Sequence, residues 1–217
     1  MQLEESIKKF HSLYTAMTPT NKQHLVAPRS HISQEMRENR RSHKGMVFWL
    51  TGLSGSGKST LAHEAEFLLF ENGYEIVVLD GDVIRKGLCR DLDFSAEHRR
   101  ENIRRIAEVA KILVRNGTLC LCAFISPSEE SRQCAKNVIG AEYFREIYIS
   151  CSLQECERRD PKSFYQKARQ GKIANYTGVS SAYDPPVSPD CVICTENQTI
   201  PFNTQELLAY IISQARK

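Results

Sequence analysis

The chain predicts an α/β fold: a parallel sheet with helices on both faces. Three observations point there. A complete phosphate-loop pattern sits between an apolar run and a helix-like segment. From residue 46 onward, short apolar runs alternate with longer helical periods, the pattern of parallel crossover units. Gly73 and Gly117 stand just past two of those periods, where a helix is capped.

Taken in order, residues 1–45 read as an extension. Leu3, Ile7, Phe10, Tyr14 and Met17 recur at steps of four, three, four and three, which predicts an amphipathic helix over 2–17. Such a helix could pack on its own subunit or on a second one, and the pattern suits both. Pro19 and Pro28 break the period, and Arg37, Arg40, Arg41 and Lys44 make the approach to the core basic. The main domain is expected over 46–217, with strands over 46–51, 75–80, 118–125, 145–150 and 190–195. Helices are expected over 58–72, 96–116, 128–139, 152–159 and 204–216. Ile103, Ile106, Ala110 and Leu113 put one face of the long helix on a core, and Ser95 is a good N-cap for it. Asn203, with Glu206 three residues on, resembles a capping box for the last helix.

The loop is Gly52-Leu53-Ser54-Gly55-Ser56-Gly57-Lys58-Ser59-Thr60, a full match to G-x-x-x-x-G-K-S/T behind the run Met46-Val47-Phe48-Trp49-Leu50. Glycines let successive backbone N–H groups turn inward around phosphate oxygens. Lys58 is expected to reach the β- and γ-phosphates, and the Ser59 hydroxyl to hold Mg²⁺. The helix that follows points its positive end at the anion. In an open parallel sheet, ligands gather at the carboxyl ends of strands, so the loops after residues 51, 80, 125 and 150 should share one cleft.

A second constellation follows the second strand: Asp80-Gly81-Asp82, then Arg85 and Lys86, then Phe94, Arg99 and Asn102. Paired carboxylates beside a phosphate loop suit a Mg²⁺ shell or a base aimed at an attacking hydroxyl. Arg85 and Arg99 suit a second anion, whereas Arg104 and Arg105 read as a solvated helix face. Residues 158–186 lose the regular period and carry Arg158, Arg159, Lys162, Lys167, Arg169 and Lys172, together with Tyr165, Tyr176 and Tyr183. A long cationic segment after the fourth strand is expected to act as a lid that excludes water. No acid ends the third strand, where motor and switch ATPases keep one, so a small-molecule kinase is favoured.

Other classes are disfavoured. A net charge of +3 is too small to make nucleic acid the main partner, and no apolar stretch approaches the ~20 residues of a membrane span. Glu4 and Glu5 near the start argue against a secretory or transit peptide. Eight cysteines without a second metal half-motif read as buried reduced thiols, which leads us to expect a cytoplasmic protein. The side chains of Cys191 and Cys194 should face opposite sides of a strand.

Several of these motifs, in this order, resemble the adenylylsulfate kinase family, a group of P-loop kinases with a basic lid. The matching residues are GLSGSGKST, Asp80-Gly81-Asp82 with Arg85, Gly87-Leu88, Asp91-Leu92, Phe94-Ser95 and Glu101 to Arg105. Phe124-Ile125-Ser126-Pro127, Arg159-Asp160-Pro161-Lys162, Lys167-Ala168-Arg169 with Gly171, and Thr177-Gly178 complete the set. The resemblance spans about residues 30–195. It implies transfer of the ATP γ-phosphate to the 3′-hydroxyl of adenosine 5′-phosphosulfate, with ATP and Mg²⁺ as cofactors and a role in sulfate assimilation. It also implies a homodimer, and it raises an ATP sulfurylase as a candidate partner.

Residue roles follow from the same resemblance. Lys58, Asp82 and Ser126 would be catalytic, with Asp82 as base or orienter and Ser126 matching a serine proposed as a phosphorylated intermediate. Residues 52–60 and Arg159 would bind ATP. Arg85, Arg99 and Asn102 would fix the phosphosulfate nucleotide, Phe94 and Tyr176 would stack on its adenine, and Ile125, Ser126, Lys162 and Asn175 would line the pocket. Val83, Cys89, Lys172, Ala174 and Tyr176 depart from the usual pattern. Two other readings stay open: a kinase of the same fold with another small acceptor, and a nucleotide-binding regulator without catalysis.

Overall fold

The computed structural model describes residues 30–217, so the helix expected over 2–17 lies outside the described residues. Five strands form one parallel sheet: β1 (Val47–Thr51), β2 (Ile76–Asp80), β3 (Leu119–Ala123), β4 (Phe144–Ser150) and β5 (Cys191–Cys194). Their order across the sheet is β2-β3-β1-β4-β5, with every neighbouring pair parallel. Each expected strand forms, within one or two residues at most ends.

Side-chain alternation along β1 separates two cores. Phe48 and Leu50 join the core with helix α2 (Lys58–Glu71) and the last helix α8 (Ile200–Ala215). Val47 and Trp49 join the other, with α4 (Ala96–Arg115) and α5 (Glu129–Ile139). Every residue of β1 is buried, as a central parallel strand covered on both faces must be. Cys191 packs on the first core while Cys194 is exposed, and all eight cysteines are free thiols. Among the described residues no helix is long and apolar enough to cross a membrane.

The last helix corrects one expectation. It starts at Ile200, capped by the Thr199 hydroxyl on the Phe202 N–H, with Pro201 in its first turn. Asn203 therefore lies inside the helix, 2% exposed, instead of capping it. A proline at the first helical positions is favourable because its missing N–H would have no partner there.

Four short helices accompany the framework: α1 (Gln34–Arg41), α3 (Gly81–Lys86), α6 (Leu153–Arg159) and α7 (Phe164–Arg169). Only α6 was expected. The others are too short to show a period, and side-chain caps hold them. Ser33 caps α1 and Asp80 caps α3. Asp160 accepts from the N–H groups of Phe164, Tyr165 and Gln166 at the start of α7. The basic approach to the domain is docked by Arg41, which donates to the Asn116 carbonyl, and by Lys44 N–H on the Ala215 carbonyl at 2.9 Å.

Candidate active site

The loops at the carboxyl ends of the strands enclose one cavity of about 1240 Å³. Its lining brings together Lys58, Ser59, Asp82, Arg85, Phe94, Arg99, Asn102, Ile125, Ser126, Arg159, Lys162, Asn175 and Tyr176, all expected from sequence. The phosphate loop forms one end. Gly57 (φ 101°) leads into α2 with no side chain capping that helix, so its first N–H groups stay available to an anion. Gly55 lies in the left-handed region (φ 78°) and a Cβ there would sit 3.0 Å from the Cys156 carbonyl oxygen, so a side chain would be strained on both counts. Lys58 is buried and donates to the carbonyls of Gly52 (2.9 Å) and Leu53 (2.7 Å). Burial lowers its pKa to about 8.

Next to the loop, the Ser59 hydroxyl donates to the Asp80 carboxylate, which is 7% exposed. Asp80 ends β2 and pairs in register with Ala123 at the end of β3. The acid that accompanies the loop thus comes from the second strand, as the absence of one on the third suggested. Ser59 and Asp80 are hard oxygen donors and fit Mg²⁺, which is usually held by one or two protein groups plus phosphates and water.

The rest of the cavity is lined from α3, α4 and the basic segment 158–186. The Arg85 guanidinium lies over the Phe94 ring at 4.3 Å, and its N–H groups also reach the carbonyls of Leu92 and Asp93. Burial lowers the pKa of both Arg85 and Arg99 from the usual arginine range. Asn102 is 4% exposed, and its Oδ1 has no partner, an open acceptor in a wall of the cavity. Arg99 donates to Phe94 O, to Thr177 Oγ1 (2.9 Å) and to Asn175 O (2.6 Å), tying α4 to the basic segment 158–186. Lys162 of the same segment pairs with Asp82, and both side chains are more than half exposed. Ser126 is 2% exposed, with φ 44°. Its hydroxyl accepts from Trp49 Nε1 at 2.9 Å, and its carbonyl accepts from Arg132 at 3.0 Å.

Several residues of the site were not singled out from sequence. In the sequence Asp80 shows only as one of a pair of acids; its place as last residue of a strand beside the loop is the available signal. Arg159 donates to both Thr195 Oγ1 (3.2 Å) and Thr195 O (2.7 Å), while Thr195 Oγ1 donates to Ser56 O (2.8 Å). Thr195 thereby joins the end of β5 to the phosphate loop. Asn197, Gln198, Ile200 and Asn203 line the same cavity, and no local pattern marks them.

Comparison with known proteins agrees with this geometry. The adenylylsulphate kinase family profile matches residues 44–194. A probable adenylyl-sulfate kinase of Bacillus subtilis is 49% identical, covering 84% of this chain and 97% of that protein. An adenylyl-sulfate kinase of Bacillus pumilus is 45% identical over 89% of this chain and 98% of its own length. Among solved structures, the Mycobacterium tuberculosis APS kinase CysC in complex with AMPPNP and APS superposes with a TM-score of 0.75. It is 43% identical, over 78% of this chain and 98% of that one.

Proposed function

Because this chain belongs to the adenylylsulphate kinase family, we propose that it moves the γ-phosphate of ATP to the 3′-hydroxyl of adenosine 5′-phosphosulfate. It is an ATP-dependent kinase of adenylyl sulfate. The observation that carries this reading is one cavity with a phosphate loop at one end and Arg85, Phe94 and Asn102 at the other.

The residue roles are part of the same proposal, and the geometry above supports them. The loop amides and Lys58 hold the donor phosphates, and Lys58 exchanges the carbonyls of Gly52 and Leu53 for phosphate oxygens. Ser59, backed by Asp80, holds Mg²⁺, which when bound neutralises charge on the donor phosphates. Arg85 and Asn102 take the phosphosulfate nucleotide, and Phe94 and Tyr176 flank its base. Arg99 closes the lid on that nucleotide. Asp82 orients the 3′-hydroxyl and accepts its proton, while Lys162 passes from Asp82 to the anionic acceptor. An exposed ion pair is worth little, so that exchange costs little. Donor and acceptor repel, and these cations offset the repulsion while position does the rest. Direct transfer needs no covalent intermediate on Ser126.

The assembly and setting are part of the same reading. One family relative is described as a hexameric APS kinase, from Thiobacillus denitrificans, so self-association is expected, with a homodimer as the smallest form. We place the enzyme in the cytoplasm, beside the ATP sulfurylase that would supply its substrate.

ADP release measured with adenosine 5′-phosphosulfate, AMP, gluconate and shikimate tests the acceptor. A clear preference for the first is expected; no preference would leave only a kinase of this fold. Asp82→Asn should lower kcat by about a hundredfold or more. Arg85→Ala should raise the acceptor KM and leave ATP binding nearly intact.

A further inference from the structure

Tyr165, in the lid helix α7, has no part in the roles above. It is 2% exposed, and its hydroxyl donates to the carbonyl of Ser54 in the phosphate loop at 3.0 Å. Its ring meets Tyr176 edge-on, with centroids 5.1 Å apart and planes at 84°. Tyr176 in turn sets the lid turn, since its carbonyl accepts from the N–H groups of Val179, Ser180 and Ser181. Tyr165 also belongs to a small apolar cluster with Cys151 and Cys156, against which Leu53 of the loop and Tyr176 pack. A single buried side chain therefore touches the loop that holds the donor phosphates and the ring that flanks the acceptor base.

We infer that Tyr165 is a positioning residue that couples the two ligands, so that donor binding strengthens acceptor binding. This rests on the site reading given above. The physical argument is differential order. Phosphate in the loop fixes the peptide of Ser54, and a fixed Ser54 carbonyl holds the Tyr165 hydroxyl in one place. Asp160 already anchors the backbone of α7 through three N–H groups, so Tyr165 has little freedom left once its hydroxyl is held. The ring then presents a rigid edge to Tyr176, and the acceptor base meets a preformed wall. An acceptor bound first must order that wall itself. By linkage the effect is reciprocal: acceptor binding tightens the donor by the same factor. The phenol acts as a hydrogen-bond donor throughout, because burial pushes its pKa well above the usual tyrosine value.

Calorimetry on the full chain tests this. Adenosine 5′-phosphosulfate is titrated with and without a saturating non-hydrolysable ATP analogue, into the wild type and into Tyr165→Phe. That substitution keeps the ring against Tyr176 and removes only the hydroxyl. The wild type should bind the acceptor more tightly with the analogue present. Tyr165→Phe should reduce that enhancement by roughly three- to tenfold, the equivalent of one hydrogen bond. Its acceptor affinity without the analogue should be unchanged. An equal enhancement in both proteins overturns the inference, as does a wild type in which the two ligands bind independently. A wild type that never binds the acceptor removes the acceptor reading itself, and the coupling with it. A second measurement needs no substitution. Hydrogen exchange over residues 176–181 should slow when the ATP analogue alone is added; unchanged exchange also overturns the inference.

Discussion

The Ser59 hydroxyl donates to Oδ2 of Asp80 at 2.5 Å, while Oδ1 of the same carboxylate accepts from the Asp82 N–H at 2.9 Å. One buried acid therefore holds the Ser59 hydroxyl of the phosphate loop and caps the short helix that carries Asp82. Asp80→Asn separates the two tasks, because asparagine caps a helix about as well as aspartate but carries no charge. The variant should keep its melting temperature, lose about tenfold or more in kcat, and need more Mg²⁺ for half-maximal rate. Rates measured across a Mg²⁺ titration check this; an unchanged Mg²⁺ requirement would place Asp80 outside the metal's surroundings.

Lys58 gives a pH prediction with a definite sign. Burial lowers its pKa to about 8, so the free protein begins to lose that ammonium above neutral pH. Bound phosphates favour the charged form and raise the pKa again. Between the two values the complex holds more protons than the free protein, so ATP affinity should fall as pH rises through about 8. Calorimetry in two buffers of different ionisation enthalpy should show proton uptake on nucleotide binding at pH 8.5 and almost none at pH 6.5. Lys58→Ala should abolish turnover and remove the uptake.

The framework, and the gathering of most candidate residues in one cavity, could be read from the chain because both rest on local signals. The phosphate loop has its own spacing, β1 to β5 are short apolar runs, and Ser95 is a recognisable cap. What escaped reading depends on contacts remote in sequence. Arg99 reads as an anion ligand in its helix and does line the cavity, but its contacts with Asn175 and Thr177, more than 70 residues away, have no local signal. Thr195 and Tyr165 gain meaning only because the fold brings β5 and α7 against the loop. Asn203 shows the opposite failure: a plausible capping box gave way to Thr199 and Pro201, four and two residues earlier.

Ser126 separates two chemical routes. Its hydroxyl is buried and accepts from the Trp49 indole, which fits a fixed wall of the cavity better than a nucleophile. Ser126→Ala should keep kcat within about threefold of wild type. It should lose about 1–3 kcal/mol of stability, because the buried Trp49 N–H is left without an acceptor. A fall in kcat of about a thousandfold with acceptor affinity intact would instead restore a phosphoserine intermediate.

The same wall is braced from behind by Arg132, and this brace predicts a linked effect on stability and pH. Arg132 is 1% exposed, donates to the Ser126 carbonyl, and pairs with Glu146 at 2.6 Å and Glu129 at 2.6 Å. Glu129 is 59% exposed and can turn to water, whereas Glu146 is 14% exposed and cannot. Arg132→Met should therefore leave a half-stranded buried charge and destabilise the fold by about 3–5 kcal/mol, or about 6–20 °C in melting temperature. Arg132→Met with Glu146→Leu should recover most of that loss, since an apolar pair of similar volume needs no counterion. Burial already holds the Glu146 pKa above its ordinary value, although Arg132 opposes the shift. Without Arg132 the folded-state pKa rises further, so the folded protein binds a proton that the unfolded chain releases. Stability of the single variant should accordingly fall as pH rises through that window, making its deficit smaller at pH 5 than at pH 7.5. Melting curves at the two pH values read this directly. A deficit independent of pH would mean that the lost hydrogen bond to Ser126, not the stranded carboxylate, dominates. In that case the acceptor KM should rise in both the single and the double variant.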